Sequence, residues 1–190
     1  MLPVIGKEIH IRSRTKGGEQ KKSSGIFYDP DYTGDEEGTF DEPYNDLKTA
    51  VEQAVYANYT VVLKGPVTST ALDEEGLSIP TGVNFTFKRS CAYSGYLFEL
   101  SDDWSISDLI IDGNASSCPG SSSLISVTGG IITLGEEVTL QNNKAGNNGA
   151  AIRMLGGPGY VSDTDTYGSV VIDPSATITN NTPNNNFYYE

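Results

Sequence analysis

From Thr60 onward, short apolar stretches alternate with Gly, Ser, Asn and Asp, the pattern of brief strands punctuated by turns. Three of these stretches begin 24 residues apart: Thr60-Val61-Val62-Leu63-Lys64-Gly65, Asn84-Phe85-Thr86-Phe87-Lys88-Arg89 and Asp108-Leu109-Ile110-Ile111-Asp112-Gly113. Two more follow at wider spacing, at residues 137–142 and 175–180. These two align without a gap at an offset of 38, with Gly130 meeting Gly168, Ile132 meeting Val170, Leu134 meeting Ile172, Leu140 meeting Ile178, and Asn142-Asn143 meeting Asn180-Asn181. Self-similarity at this period signals stacked structural units. The excess over 24 predicts a Gly-, Ser- and Asp-rich loop at residues 156–167, thrown out from one unit.

Strand side chains alternate between two faces. Val61/Leu63, Phe85/Phe87, Leu109/Ile111, Val138/Leu140 and Ala176/Ile178 are therefore predicted to form two inward columns. A period near 24 leaves room for about three short strands per unit, the spacing of a parallel β-helix whose coils stack roughly 4.8 Å apart. Residues 97–100, 124–127 and 150–154 supply strands for the other walls. The competing fold, a β-sandwich, also has many short strands. It has no reason to hold Phe85/Phe87 and Leu109/Ile111 at one spacing.

The segment at residues 45–57 has a different period. Leu47, Val51, Ala54 and Val55 fall at i, i+4, i+7 and i+8, with Asn45 as N-cap and Asp46 in the first turn. This predicts one amphipathic helix, placed to close the apolar end of the solenoid. Residues 1–24 carry the alternating stretch Glu8-Ile9-His10-Ile11-Arg12 and then Lys, Gly and Ser, which reads as a basic arm or edge strand followed by loop. The expected organisation is thus an arm at 1–24, a cap at 25–58 and coils at 59–190.

Charge and cysteines narrow the setting. The net charge of −13 is uneven, because the arm holds six basic residues against two acidic ones and the remainder stands near −17. An acidic body repels phosphate backbones, so nucleic acid is not an expected partner. No apolar run approaches the roughly 18 residues of a membrane span, and residues 1–20 lack the apolar middle of a signal peptide. An exported parent would have lost its signal, with Met1 a cloning artefact or an internal start. Cys91 and Cys118 each sit beside Ser or Gly in a predicted turn, and are either a disulfide or two free thiols.

The stretch Phe27-Tyr28-Asp29-Pro30, Gly34-Asp35-Glu36-Glu37-Gly38, Glu42-Pro43-Tyr44 and then Leu47-Lys48-Thr49-Ala50-Val51-Glu52-Gln53-Ala54 resembles the N-terminal cap of pectate-lyase-like right-handed β-helix proteins. In that superfamily a strand, an acidic Gly turn and a Pro-aromatic pair precede a capping helix. The resemblance covers about forty residues and implies an all-β, right-handed parallel β-helix with one N-terminal capping helix. It does not imply an activity, since the superfamily includes lyases, hydrolases, epimerases, tailspikes and adhesins. Leu140-Gln141-Asn142-Asn143-Lys144-Ala145, followed by Asn148-Gly149-Ala150-Ala151-Ile152, is similar to the repeats of bacterial adhesin-like and polymorphic surface β-helix proteins. Here Ala150 departs from the second Gly of their Gly-Gly-Ala-Ile pattern.

Lyases of this fold resemble one another in using Ca²⁺ on wall carboxylates and an Arg or Lys base. Arg89 and Arg153 are the arginines of the body, and Lys64 and Lys88 share a register under the 24-residue spacing. Two lysines ending strands are more simply solvated. Asp102-Asp103 resembles the Asp pair of polygalacturonases, but the accompanying His-Gly and Arg-x-Lys segments are missing and the single histidine, His10, lies in the arm. The pair reads as a polar turn. Asp29, Asp31 and Asp35 offer oxygens for Ca²⁺, with a charged turn as the simpler account; no other cofactor is implied. Tyr93, Tyr96, Trp104, Tyr160 and Tyr167 are suited to stacking on sugar rings, or else to packing on the solenoid. The asparagines of Asn142-Asn143 and Asn180-Asn181 are expected to stack as amide ladders at coil corners.

The expected function is non-catalytic: a β-helical segment of a secreted or cell-surface protein, presenting walls and a loop to a glycan or a host or cell-surface protein. An enzyme module acting on acidic polysaccharide, and a spacer that projects other domains, are the alternatives. The chain ends on Phe187-Tyr188-Tyr189-Glu190 where the repeat predicts another Gly-Ala-Ala-Ile strand, so a truncation or a terminal cap is expected there.

Overall fold

The computed structural model describes residues 25–73, 85–118, 120, 122–146, 149–155, 168–184 and 186–189. The arm at 1–24 and the loop at 156–167 lie outside the described residues. Strand β1 (Gly25–Tyr28) leads through an acidic turn to helix α1 (Leu47–Ala57), then to β2 (Thr60–Leu63), β3 (Val67–Thr68) and one turn of helix, α2 (Ser69–Leu72). The chain next makes three laps of three strands: β4 (Phe85–Arg89), β5 (Phe98–Leu100), β6 (Trp104–Ile106); β7 (Leu109–Asp112), β8 (Ile125–Val127), β9 (Ile131–Leu134); β10 (Thr139–Gln141), β11 (Ile152–Met154), β12 (Ser169–Ile172). It finishes with β13 (Thr177–Thr179) and β14 (Phe187–Tyr189).

The strands assemble into three sheets, in the orders β1-β2-β4-β7-β10-β13, β14-β11-β8-β5-β3 and β12-β9-β6. Each strand pairs with its counterpart one lap earlier or later, and every described pair is parallel. The protein is therefore all-β with parallel sheets, and the antiparallel pairing that a β-sandwich needs is not found among the described strands.

Inward positions follow the period of two. Val61, Leu63, Phe85, Phe87, Leu109, Ile111, Val138 and Leu140 are all buried. The second and third sheets add Val67, Phe98, Leu100, Ile125, Val127, Ile152 and Met154, and Ile106, Ile132 and Leu134, to the same core. Each such side chain contributes about 1.5–3 kcal/mol by leaving water. In the last row Ile172 and Ile178 are only partly covered, since no described strand stacks on them.

Chain direction changes at the end of first-sheet strands through asparagines in the left-handed conformation, at Asn114, Asn142 and Asn180, with φ of 56°, 53° and 54°. Asn tolerates this region better than most residues with a Cβ. The predicted amide ladder takes a different form from side-chain stacking. Asn181 Oδ1 accepts the Asn143 backbone N–H at 3.0 Å, and Asn181 Nδ2 donates to the Leu140 carbonyl at 3.1 Å.

Several expectations are corrected. Val61 stands opposite Phe87 and Leu63 opposite Arg89, so the first lap is 26 residues long, not 24. The 24-residue spacing holds for Phe87 opposite Ile111 and the 38-residue offset for Leu140 opposite Ile178. Lys88 consequently pairs in register with Val62, and does not share a register with Lys64. The N-cap of α1 is Asp46, whose side chain accepts from Thr49 N at 2.6 Å, whereas Asn45 turns back to donate to the Tyr32 carbonyl at 2.9 Å. The buried face of α1 is Leu47, Ala50, Val51 and Ala54; Val55 is exposed because it falls past the edge of that stripe. A second helix exists in the single turn α2, capped by Thr68. No helix among the described residues is long and apolar enough to cross a membrane. Phe187–Tyr189 does form a strand, in register with Ile152–Met154.

Candidate ligand-binding wall

The outward positions of the second sheet form one row. Thr68 pairs with Glu99, Glu99 with Ser126, Ser126 with Arg153, and Arg153 with Tyr188. Tyr96 precedes β5 at the same edge, and the Arg153 guanidinium lies 5.5 Å from its ring centroid. Ser126, between the rungs of Glu99 and Arg153, is only 2% exposed. The guanidinium over the phenol face is a cation–π contact.

The expected sugar platforms are placed differently. Tyr96 is partly exposed and adjoins this row through its contact with Arg153. Tyr93 donates its hydroxyl to the Tyr96 carbonyl at 2.9 Å and packs on the core. Burial, reinforced by the charge of Glu99, pushes its phenol up to about 12, against the opposing pull of Arg89. Trp104 also packs on the core, and its Nε1 donates to Ser69 Oγ at 3.1 Å. Both rings are thus tied to the wall through their polar atoms and are partly buried. Tyr160 and Tyr167 lie outside the described residues. Arg153 and Tyr188 had not been singled out as ligand contacts. The alternation in Ile152-Arg153-Met154 and Phe187-Tyr188-Tyr189 was the available signal, and it becomes decisive only once the register is known.

Arg89 illustrates the opposite case. Inward-facing and fully buried, it donates to the carbonyls of Gly95 and Ser122 and to Asn143 Oδ1, while its Nε has no partner. Desolvation lowers its pKa to about 10, offset in part by Tyr93. A guanidinium sealed in the core does not meet a substrate on the wall.

The acidic residues are spent on local structure. Asp29 Oδ1 accepts from Asp31 N at 3.3 Å, and Asp29 Oδ2 is 3.6 Å from Lys64 Nζ. Lys64 also donates to the Phe40 carbonyl at 2.9 Å and lies 4.8 Å from the Phe40 ring centroid. The repulsion of Glu37 raises the pKa of Glu42, with smaller contributions from desolvation and from a hydrogen bond between the two carboxyls. Among the described residues no three His, Cys, Asp or Glu side chains form a group that could hold a metal, so Asp29, Asp31 and Asp35 are not brought together as a ligand set. Asp103 Oδ1 accepts from Ile131 N at 2.7 Å, a bond between successive laps, and Asp102 Oδ2 accepts from the neighbouring Ser101 Oγ at 2.9 Å.

Cys91 and Cys118 form a disulfide, which resolves their two readings. It ties the turn after β4 to the turn after β7, next to the start of the second-sheet wall. Asn114 Nδ2 supports it by donating to Cys118 Sγ and to the Arg89 carbonyl. No protein-family model, curated protein or solved structure matches the chain.

Proposed function

We propose that the three parallel sheets are the walls of a right-handed parallel β-helix of the pectate-lyase-like kind, and that the chain is a non-catalytic segment of a secreted or cell-surface protein that binds a glycan or protein through its outer walls. The observation that carries the binding role is the outward row of the second sheet, where Glu99, Arg153 and Tyr188 stand in register with Tyr96 alongside. Rings beside paired donors and acceptors are the chemistry of carbohydrate and protein recognition. The solenoid reading is supported by the cyclic order in which the chain visits the sheets, lap after lap. Export is supported by the disulfide, since such bonds persist in oxidising compartments.

The reading as a lyase or hydrolase of acidic polysaccharide draws less support. Its basic candidates, Lys64 and Lys88, stand in different registers, and Asp102 and Asp103 accept bonds from Ser101 and from Ile131 of the next lap. A glycan array probed with calcium and again with chelator tests the function. Binding to a defined glycan family without turnover is expected. Cleavage of a uronate polymer would overturn the reading in favour of the enzyme, and silence in both conditions would overturn glycan binding in favour of a spacer or a protein-binding module.

A further inference from the structure

The outer row of the second sheet also restricts the class of ligand. We infer that Tyr96, Arg153 and Tyr188 form a binding strip for neutral oligosaccharides, and that acidic polysaccharides are poor ligands for it; the inference rests on the glycan-binding reading above.

Three features converge on sugar. Tyr188 stands beside Arg153 on the neighbouring rung, and the Arg153 guanidinium reaches back to the ring of Tyr96, so the row carries a phenol ring on either side of the Arg153 rung. The apolar C–H face of a pyranose packs against such rings. Guanidinium supplies donors only and a carboxylate acceptors only. Arg153 and Glu99 occupy one outward row, two rungs apart, and together they satisfy hydroxyls, which both donate and accept. From the rung of Glu99, which Tyr96 precedes, to that of Tyr188 the row spans three rung spacings, about 14 Å. A short chain of sugars fills that length better than a single ring.

Charge selects the class. Arg153 and Glu99 cancel within the row, while the chain beyond the N-terminal arm stands near −17. A uronate polymer carries a carboxylate on each sugar, and one guanidinium can pair with one of them. Its neighbours then face Glu99 within about 10 Å, a distance comparable to the screening length at physiological salt. A neutral chain meets none of this repulsion.

The test titrates the whole chain, by calorimetry, with cello-hexaose, manno-hexaose and hexagalacturonate. Binding of at least one neutral hexasaccharide is expected, with affinity nearly unchanged between about 50 and about 500 mM salt. Tyr188→Ala and Arg153→Ala are each expected to weaken it about ten-fold or more, while Tyr188→Phe keeps the ring and the binding. Unchanged melting temperatures show that the variants are folded. Tighter binding of hexagalacturonate, or neutral binding that survives both alanine variants, would overturn the assignment while leaving a glycan-binding wall elsewhere standing. Silence of every neutral probe overturns the inference, and silence across the whole array defeats the glycan-binding reading on which it rests as well.

Discussion

Asn143 and Asn181 occupy the same corner on successive laps, and the side-chain oxygen of the second accepts the backbone N–H of the first at 3.0 Å. Asn143 is fully buried and its own Nδ2 donates to the carbonyls of Ser122 and Ala150 at 2.8 and 2.6 Å. Its Oδ1 takes a bond from Arg89. One amide thus joins the corner of one lap to the start of the second sheet.

Replacing that amide leaves several buried carbonyls and a guanidinium short of partners, each costing about 1–3 kcal/mol. Asn143→Ala is expected to destabilise the fold by roughly 2–4 kcal/mol, read as a lower midpoint in urea. An unchanged midpoint would show that the corner is held by the backbone alone.

The disulfide closes a separation of 27 residues between the turns after β4 and β7. Constraining the unfolded chain over such a loop is worth about 3.5 kcal/mol. The double variant Cys91→Ser, Cys118→Ser should melt several degrees lower, and reductant should lower the parent to a similar temperature. A parent indifferent to reductant would argue that the bond contributes little.

Tyr93 makes alkaline stability predictable in sign. Its folded pKa, about 12, lies above the ordinary value of 10.0, so its contribution is complete below pH 10 and is lost as pH rises towards 12. Arg89 acts in the opposite direction, because its folded pKa of about 10 lies below 12.5 and the unfolded chain binds more protons between those values. Tyr93→Phe costs about 1 kcal/mol at neutral pH through the lost bond to Tyr96, but should lose less stability than the parent between pH 10 and 12. Urea midpoints measured across that range check it, and parallel profiles would refute the assignment.

Register predicts which apolar positions matter. Phe87 is fully buried against Phe85 and Phe98, with edge-on ring contacts at 5.3 and 5.4 Å, while Val171 points outward and is 53% exposed. Phe87→Ala is expected to cost about 3–5 kcal/mol and Val171→Ala about 0.5 kcal/mol or less. Comparable losses at the two sites would mean that the inward and outward faces have been misassigned.

Much of the fold was written into local pattern. Alternation identified the inward residues of the first sheet, and the 38-residue offset matched Leu140 to Ile178 and Ile132 to Val170, as the strand pairs do. The helix over Leu47–Ala57 was legible from its apolar period, but its cap was not, because Asn45 and Asp46 are both good N-caps and the choice depended on a distant carbonyl, that of Tyr32. Of the proposed strip, the sequence points to Tyr96 alone, and it gives no sign that the polar atoms of Tyr93 and Trp104 bond to Tyr96 and Ser69.

Sequence alone thus determined the all-β character, the faces of the first-sheet strands and the offset between the last two laps, since each depends on residues close in the chain or on direct self-similarity. Tertiary structure decided that Val61 meets Phe87, that Arg89 is buried beside Asn143, and that Tyr96, Arg153 and Tyr188 share one edge. A strand displaced by two residues keeps every side chain on its original face, so local alternation carries no trace of the displacement. Only the lengths of the intervening turns and the hydrogen bonds between laps select the register, and with it the neighbours that make a site.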